Sequence, residues 1–139
     1  MSSEDYLIRY FRQLGNVLAS ILGYREKKMY SLAIDEIDQT LTTWFKIDPE
    51  TLAETSDKLV KELLDNPSAG FETEKAIAEL LYQKSVTFKE MGKNNEAALI
   101  AKTASTLFKS IDRLSGEFSV EIQYRIAELE KILIYPDVF

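Results

Sequence analysis

The chain has 139 residues, of which 45% are hydrophobic and 29% charged, and its formal net charge is −6; these values predict a single soluble globular domain over residues 1–139. It contains no cysteine and no histidine, which excludes disulfides, zinc sites built on Cys or His, thiol nucleophiles, Ser-His-Asp triads and carboxylate–histidine di-iron bundles. The acidic balance argues against a nucleic-acid surface, which needs clustered Lys and Arg.

The first helical pattern runs from Glu4 to Lys28, where apolar residues recur at three- and four-residue steps. Its apolar arc is wider than one neighbouring helix needs. Gly15, Ala19 and Gly23 follow each other at four-residue steps along the edge of that arc. Because glycine inside a helix costs roughly 1 kcal/mol relative to alanine, this stripe predicts close approach by a second backbone. The apolar positions are Leu7, Tyr10, Phe11, Leu14, Val17, Leu18, Ile21 and Leu22, widened by Tyr6, Ile8 and Tyr24.

A second helical pattern follows at once, from Tyr30 to Lys46, with a narrower apolar seam. Asp35, Glu36 and Asp38 are placed near its start, where unpaired N–H groups favour negative charge. Their oxygens also suit a hard cation. They lack the spaced loop ligands and the glycine of a calcium site, so we predict no metal here.

Four further helices are expected. Asp48-Pro49-Glu50 predicts the start of the third, because Asp can cap free N–H groups and Pro fits the first helical position. The break at residues 65–70, which contains a proline and a glycine, ends it. The fourth helix is predicted from about Glu72 to Met91, the fifth between the breaks at 92–95 and 115–116, and the sixth from about Glu117 to Tyr135, before Pro136.

The short turns between these helices favour antiparallel neighbours, and no stretch alternates apolar and polar residues for long enough to predict a strand. The sequence therefore predicts an all-α fold, a compact bundle of about six antiparallel helices.

Two stretches resemble the helix-pair signature of tetratricopeptide repeats. Each has an aromatic residue followed nine residues later by an alanine, and the copies lie 64 residues apart (24 to 88), whereas the family's period is about 34. The resemblance implies stacked helical hairpins in which the aromatic and the alanine pack where the paired helices cross. No ligand-binding residues carry over. The matching positions are Tyr24, Ala33 and Ile37 in one copy and Phe88, Ala97, Ala101 and Ala104 in the other.

The resemblance further implies a scaffold that presents a helical groove to another protein. The surplus apolar surface of the first helix and the apolar end of the chain, residues 132–139, indicate an interface as well, so we expect a protein partner and a homodimer. The alternative is that the first helix is central in the bundle and the end of the chain folds back over it.

Four polar residues form the candidate binding site: Arg9, Arg12, Gln13 and Asn16, on one side of the first helix. Arginine presents a planar fork suited to a carboxylate, so this face could hold an acidic peptide or a carboxylate ligand. A solvated helix face is the simpler interpretation.

The leading functional hypothesis is a non-catalytic protein-interaction module with no cofactor. The alternative is a binder of a small molecule or acidic peptide, with its pocket between the first, second and fourth helices. A carboxylate-based enzyme is least favoured, because no pair of acids stands out from solvated surface. No apolar run approaches the roughly 18 residues that would span a membrane, and the acidic start does not resemble a secretory signal; we therefore expect a cytoplasmic protein.

Overall fold

The computed structural model describes residues 3–134, with side chains from residue 9 onward. This part of the chain contains six α-helices and no strand, which confirms the all-α prediction. The helices are α1 (Ser3–Glu26), α2 (Tyr30–Phe45), α3 (Leu52–Asp65), α4 (Glu72–Glu90), α5 (Asn94–Ser115) and α6 (Val120–Ile134), with a 3₁₀ turn at Ala69–Phe71.

Helix α4 is the centre of the molecule. It packs against α5, α2, α1 and α6, and most of its residues are buried. Helices α1 and α2 form one hairpin and α4 and α5 a second, with α2 seated against α4; α3 packs on α5. Helix α1 is therefore at an edge rather than central, and both Phe11 and Leu22 on it are exposed.

Helices α1, α4 and α6 run in the same direction. Arg25, near the end of α1, reaches Gln83 and Glu90 in the second half of α4. Helix α6 returns antiparallel to α5 and so parallel to α4, with Gln123 donating to Asp112 at one end of the α5–α6 pair. The three parallel helices form one layer, with α4 between α1 and α6.

The turns of the two hairpins have the same geometry. Met29 N–H donates to the carbonyl of Tyr24 at 2.8 Å, and Lys93 N–H donates to that of Phe88 at 2.9 Å. The preceding residue is left-handed in both turns: Lys28 has φ 59° and Gly92 has φ 78°. Both alanines of the repeat, Ala33 and Ala97, are fully buried. The turn that recurs after 64 residues in the sequence thus recurs in the backbone. Helix α3 lies between the two hairpins along the chain, not in space, because α2 packs directly against α4.

Three local predictions are corrected. The third helix begins at Leu52, because Asp48 accepts the N–H of Glu50 in a turn and Thr51 precedes the helix. The sixth begins at Val120, where Ser119 Oγ accepts the N–H of Ile122 and caps the helix. Asp35, Glu36 and Asp38 lie beyond the first turn of α2. Lys84 of α4, not the helix start, pairs with Asp38, at 2.7 Å. Residues 135–139, where the sixth helix was expected to end, lie outside the described part.

The expected close contact along the small-residue stripe of α1 is also wrong. A Cβ atom added at Gly15 or Gly23 would meet nothing within 4 Å beyond the helix itself. Ala19, between them, is exposed. The stripe faces outward, so the helix bears the cost of its glycines without compensation from packing.

We expect Gly15→Ala to stabilise the protein by about 0.5–1 kcal/mol, because alanine is the better helix former and the added methyl group meets open space. Urea unfolding followed by circular dichroism measures the change. Destabilisation by Gly15→Ala would contradict the outward orientation of this face.

The repeated turn gives a second prediction. Lys28→Gly should stabilise by about 0.5–1 kcal/mol, since a side chain in the left-handed region is strained and glycine is not. Gly92→Ala, at the matching position, should destabilise the protein by about 1 kcal/mol. The added methyl group would meet no other atom, but alanine is strained at the positive φ of this residue. If the two substitutions changed the free energy of unfolding in the same direction, the two turns would not be equivalent.

Candidate interaction groove

A groove lies between α1 and α6, and α4 forms its floor. Its volume is about 240 Å³. The two walls belong to the outer helices of the parallel layer, so the groove follows from α4 packing against a helix on each side. Its lining residues are Phe11, Leu14, Leu18, Glu72, Lys75, Ala76, Glu79, Phe108, Ser119, Glu121, Ile122 and Arg125.

The α1 wall is apolar. Phe11, Leu14 and Leu18 stand at three- and four-residue steps and therefore share one side of the helix. Leu14 and Leu18 are half-buried, whereas Phe11 is 44% exposed. Phe108 of α5 is almost fully buried and closes the bottom of the groove. The surplus apolar arc recognised in the sequence thus becomes a groove wall.

The opposite wall carries the charge. Arg125 of α6 donates through Nε to Glu79 of α4 at 2.8 Å, and its guanidinium lies 4.4 Å from the ring centroid of Tyr82. Burial alone would lower the pKa of Arg125, but the hydrogen bond and the charge of Glu79 raise it above its ordinary value. Burial raises the pKa of the Tyr82 phenol, with Arg125 partly opposing the shift. Arg125 remains charged over a neutral phenol.

A polar network along α4 connects the two walls. Gln83 donates to the second oxygen of Glu79 at 3.1 Å. The side-chain amide oxygen of Gln83, Oε1, accepts a hydrogen bond from Arg25 of α1 at 2.6 Å. Arg25 also pairs with Glu90. Two arginines, one from each outer helix, are therefore held on the same face of α4.

The groove offers apolar contact and charge. Among the described lining residues, Ser119 is the one with a hydroxyl group, and its Oγ accepts the Ile122 N–H as the helix cap. Its carboxylates are accompanied by Lys75 and Arg125. Among the described residues, no group of three or more acids is placed to hold a metal ion. These features suit contact with an apolar surface.

The predicted binding residues are elsewhere. Arg9, Arg12, Gln13 and Asn16 lie together on the exposed side of α1, turned away from Leu14 and Leu18, and none of them lines the groove. The pocket expected between the first, second and fourth helices stays a prediction; the groove described above involves α6 instead of α2.

Arg125 and Glu79 are the residues that sequence reasoning missed. The four-residue spacing pairs Arg125 with Glu121, which is 4.0 Å away and 77% exposed. The closer partner, Glu79, is 46 residues distant in sequence. No periodicity connects residues so far apart on different helices, so no signal in the sequence identifies the pair.

None of the helices within residues 3–134 is both long and apolar enough to cross a membrane. Comparison with known proteins gives no further assignment: no family model matches the sequence, and neither the curated proteins nor the solved structures provide a match.

We expect Arg125→Met to cost about 1–3 kcal/mol of stability, because it leaves the mostly buried carboxylate of Glu79 without its cation. Combining it with Glu79→Gln should recover part of that loss, because the double variant removes both charges and leaves no unpaired carboxylate. Urea unfolding of the two single variants and the double variant measures the coupling.

The control is the exposed pair Lys58–Glu62 on α3, whose side chains are 78% and 64% exposed. Lys58→Met should cost less than about 0.5 kcal/mol. Equal losses for Arg125→Met and Lys58→Met would show that the Arg125 pair does not hold α6 against α4.

Proposed function

We propose that this protein is a non-catalytic, cytoplasmic interaction module of the tetratricopeptide-like type, and that its α1–α6 groove receives an apolar helical segment of another protein. The observation that carries the proposal is the groove itself: an apolar wall on α1 faces a charged wall on α6 across the floor of α4. Laying an amphipathic helix into an apolar groove is a recurring mode of peptide recognition.

The repeated hairpin supports this proposal. Both hairpins use the same turn, with a left-handed residue and a buried alanine at matching positions. Their first helices, α1 and α4, form the layer that borders the groove, and α6 extends that layer. A scaffold of stacked hairpins that presents a groove to another protein is what the family resemblance implies.

A protein segment suits the groove better than a small molecule does. Ligand pockets typically have volumes of roughly 300–1,000 Å³ and enclose most of the ligand, whereas this groove holds about 240 Å³ and leaves Phe11 44% exposed at its edge. Arg9 and Arg12, which were considered for an acidic peptide, lie on the exposed side of α1 and do not line the groove.

Photo-crosslinking tests the location. A benzophenone amino acid replaces Phe11, at the edge of the groove, or Leu32 on α2, whose exposure of 47% nearly equals the 44% of Phe11. In the cells that make the protein, we expect a discrete adduct from position 11 and not from position 32. Mass spectrometry identifies the crosslinked chain.

The same experiment tests the homodimer, which remains a prediction from the sequence. An adduct between two copies at position 11, accompanied by a doubled mass in light scattering, would make a second copy the partner. Equal crosslinking from both positions, or none from either, would count against the groove as the interaction site.

A further inference from the structure

We propose that the segment bound in the groove is a basic amphipathic helix, with its apolar face against α1 and a lysine or arginine opposite Glu72 and Glu121. This inference rests on the proposed function and specifies the partner of the same groove. Its basis is charge complementarity: once the internal pairs are taken into account, the charge left facing an incoming helix is acidic.

Among the residues whose side chains the structure describes, five charged ones line the groove: Glu72, Lys75, Glu79, Glu121 and Arg125. Arg125 and Glu79 neutralise each other through their 2.8 Å contact. The guanidinium of Arg125 is also stacked over Tyr82 and mostly buried, with its side chain 21% exposed. The strongest cation of the groove is thus committed internally, and a ligand carboxylate would have to compete with Glu79 for it.

Of these described charges two carboxylates remain, and both are at the same end of the groove. Glu72 is the first residue of α4 and Glu121 the second of α6, and these helices run in parallel. Glu121 is 77% exposed, and its distance of 4.0 Å from Arg125 is longer than the 2.8 Å of the Arg125–Glu79 contact. Most of the charge of Glu121 therefore faces solvent. Lys75 offsets one of the two charges, and within a chain of net charge −6 this end remains acidic.

An apolar edge adjoins the two acids. Phe118 and Val120, on either side of the groove residue Ser119, are 79% and 73% exposed. Large apolar side chains this exposed, beside a groove, are typical of an interaction surface. Apolar wall, apolar edge and carboxylates together match a helix that has leucine-like residues on one face and cations flanking them. Anionic membranes and nucleic acids have the wrong sign of charge for this surface.

The test uses two synthetic peptides of about 16 residues, long enough for four helical turns. They share one apolar face of leucine and phenylalanine and differ only in their flanking residues, all lysine in one and all glutamate in the other. Fluorescence anisotropy with the full chain measures Kd. We expect the lysine peptide to bind at least about tenfold more tightly, with the difference decreasing as salt is raised from about 0.05 M to about 0.5 M.

Charge reversal in the groove provides the matched control. The double variant Glu72→Lys/Glu121→Lys should weaken binding of the lysine peptide by about tenfold. Glu54→Lys/Glu62→Lys on α3 makes the same change in net charge on a helix that does not border the groove, and it should leave Kd within about twofold. Circular dichroism melts confirm that both variants are folded. Equal weakening by the two variants would reduce the effect to net charge and overturn the proposal.

The remaining outcomes separate this proposal from the proposed function. Equal or tighter binding of the glutamate peptide, lost on Phe11→Lys, would overturn the basic partner and leave the groove as a docking site. Failure of both peptides to bind would count against both proposals. A chain that is dimeric in light scattering and becomes monomeric on Phe11→Lys would make a second copy the occupant and overturn the basic helix.

Discussion

Helix α4 is buried on most of its sides, and its buried residues include polar and charged side chains as well as aliphatic ones. Burying such groups is unfavourable unless each one finds a partner. The partners come from other segments: Arg25 of α1 reaches Gln83, Asp38 of α2 reaches Lys84, and Ser68 before the helix reaches Glu74. Leaving one of these groups unpaired costs roughly 1–3 kcal/mol. Apolar burial can be satisfied by several arrangements of helices, whereas these pairings select one.

The groove follows from the same constraint. Glu79 has two carboxylate oxygens; one accepts from Arg125 of α6 and the other from Gln83, which also binds Arg25 of α1. Both outer helices are therefore tied to a single polar face of α4. These hydrogen bonds are directional, whereas apolar contact is not. Between the two outer helices, Leu14 and Leu18 of α1 are half-buried and Phe11 is exposed.

The sequence predicts what depends on local pattern. Helix number and the all-α fold follow from apolar periodicity, whereas the helical hairpins at Tyr24 and Phe88 were expected only from a family resemblance. The start of α3 is wrong by a few residues because Asp48 and Pro49 suit a turn as well as a helix start. The stripe at Gly15 is wrong because small residues permit close packing without requiring it. Arg125 and Glu79 could not be paired, since their contact depends on the order of the helices in space.

The order of the helices in space also bears on the ligand that we propose. On the sequence alone, the arginines at positions 9 and 12 suggest an acidic partner. The structure places them on the exposed side of α1, outside the groove, and pairs the arginine that does line the groove with Glu79. What decides the partner's charge is which side chains still lack an internal counter-charge after the helices pack. Among the described lining residues, two carboxylates at the parallel starts of α4 and α6 outnumber the single lysine, Lys75. An acidic chain with an apolar wall and this surplus favours a cationic helix, although its own sequence contains arginines suited to the opposite partner.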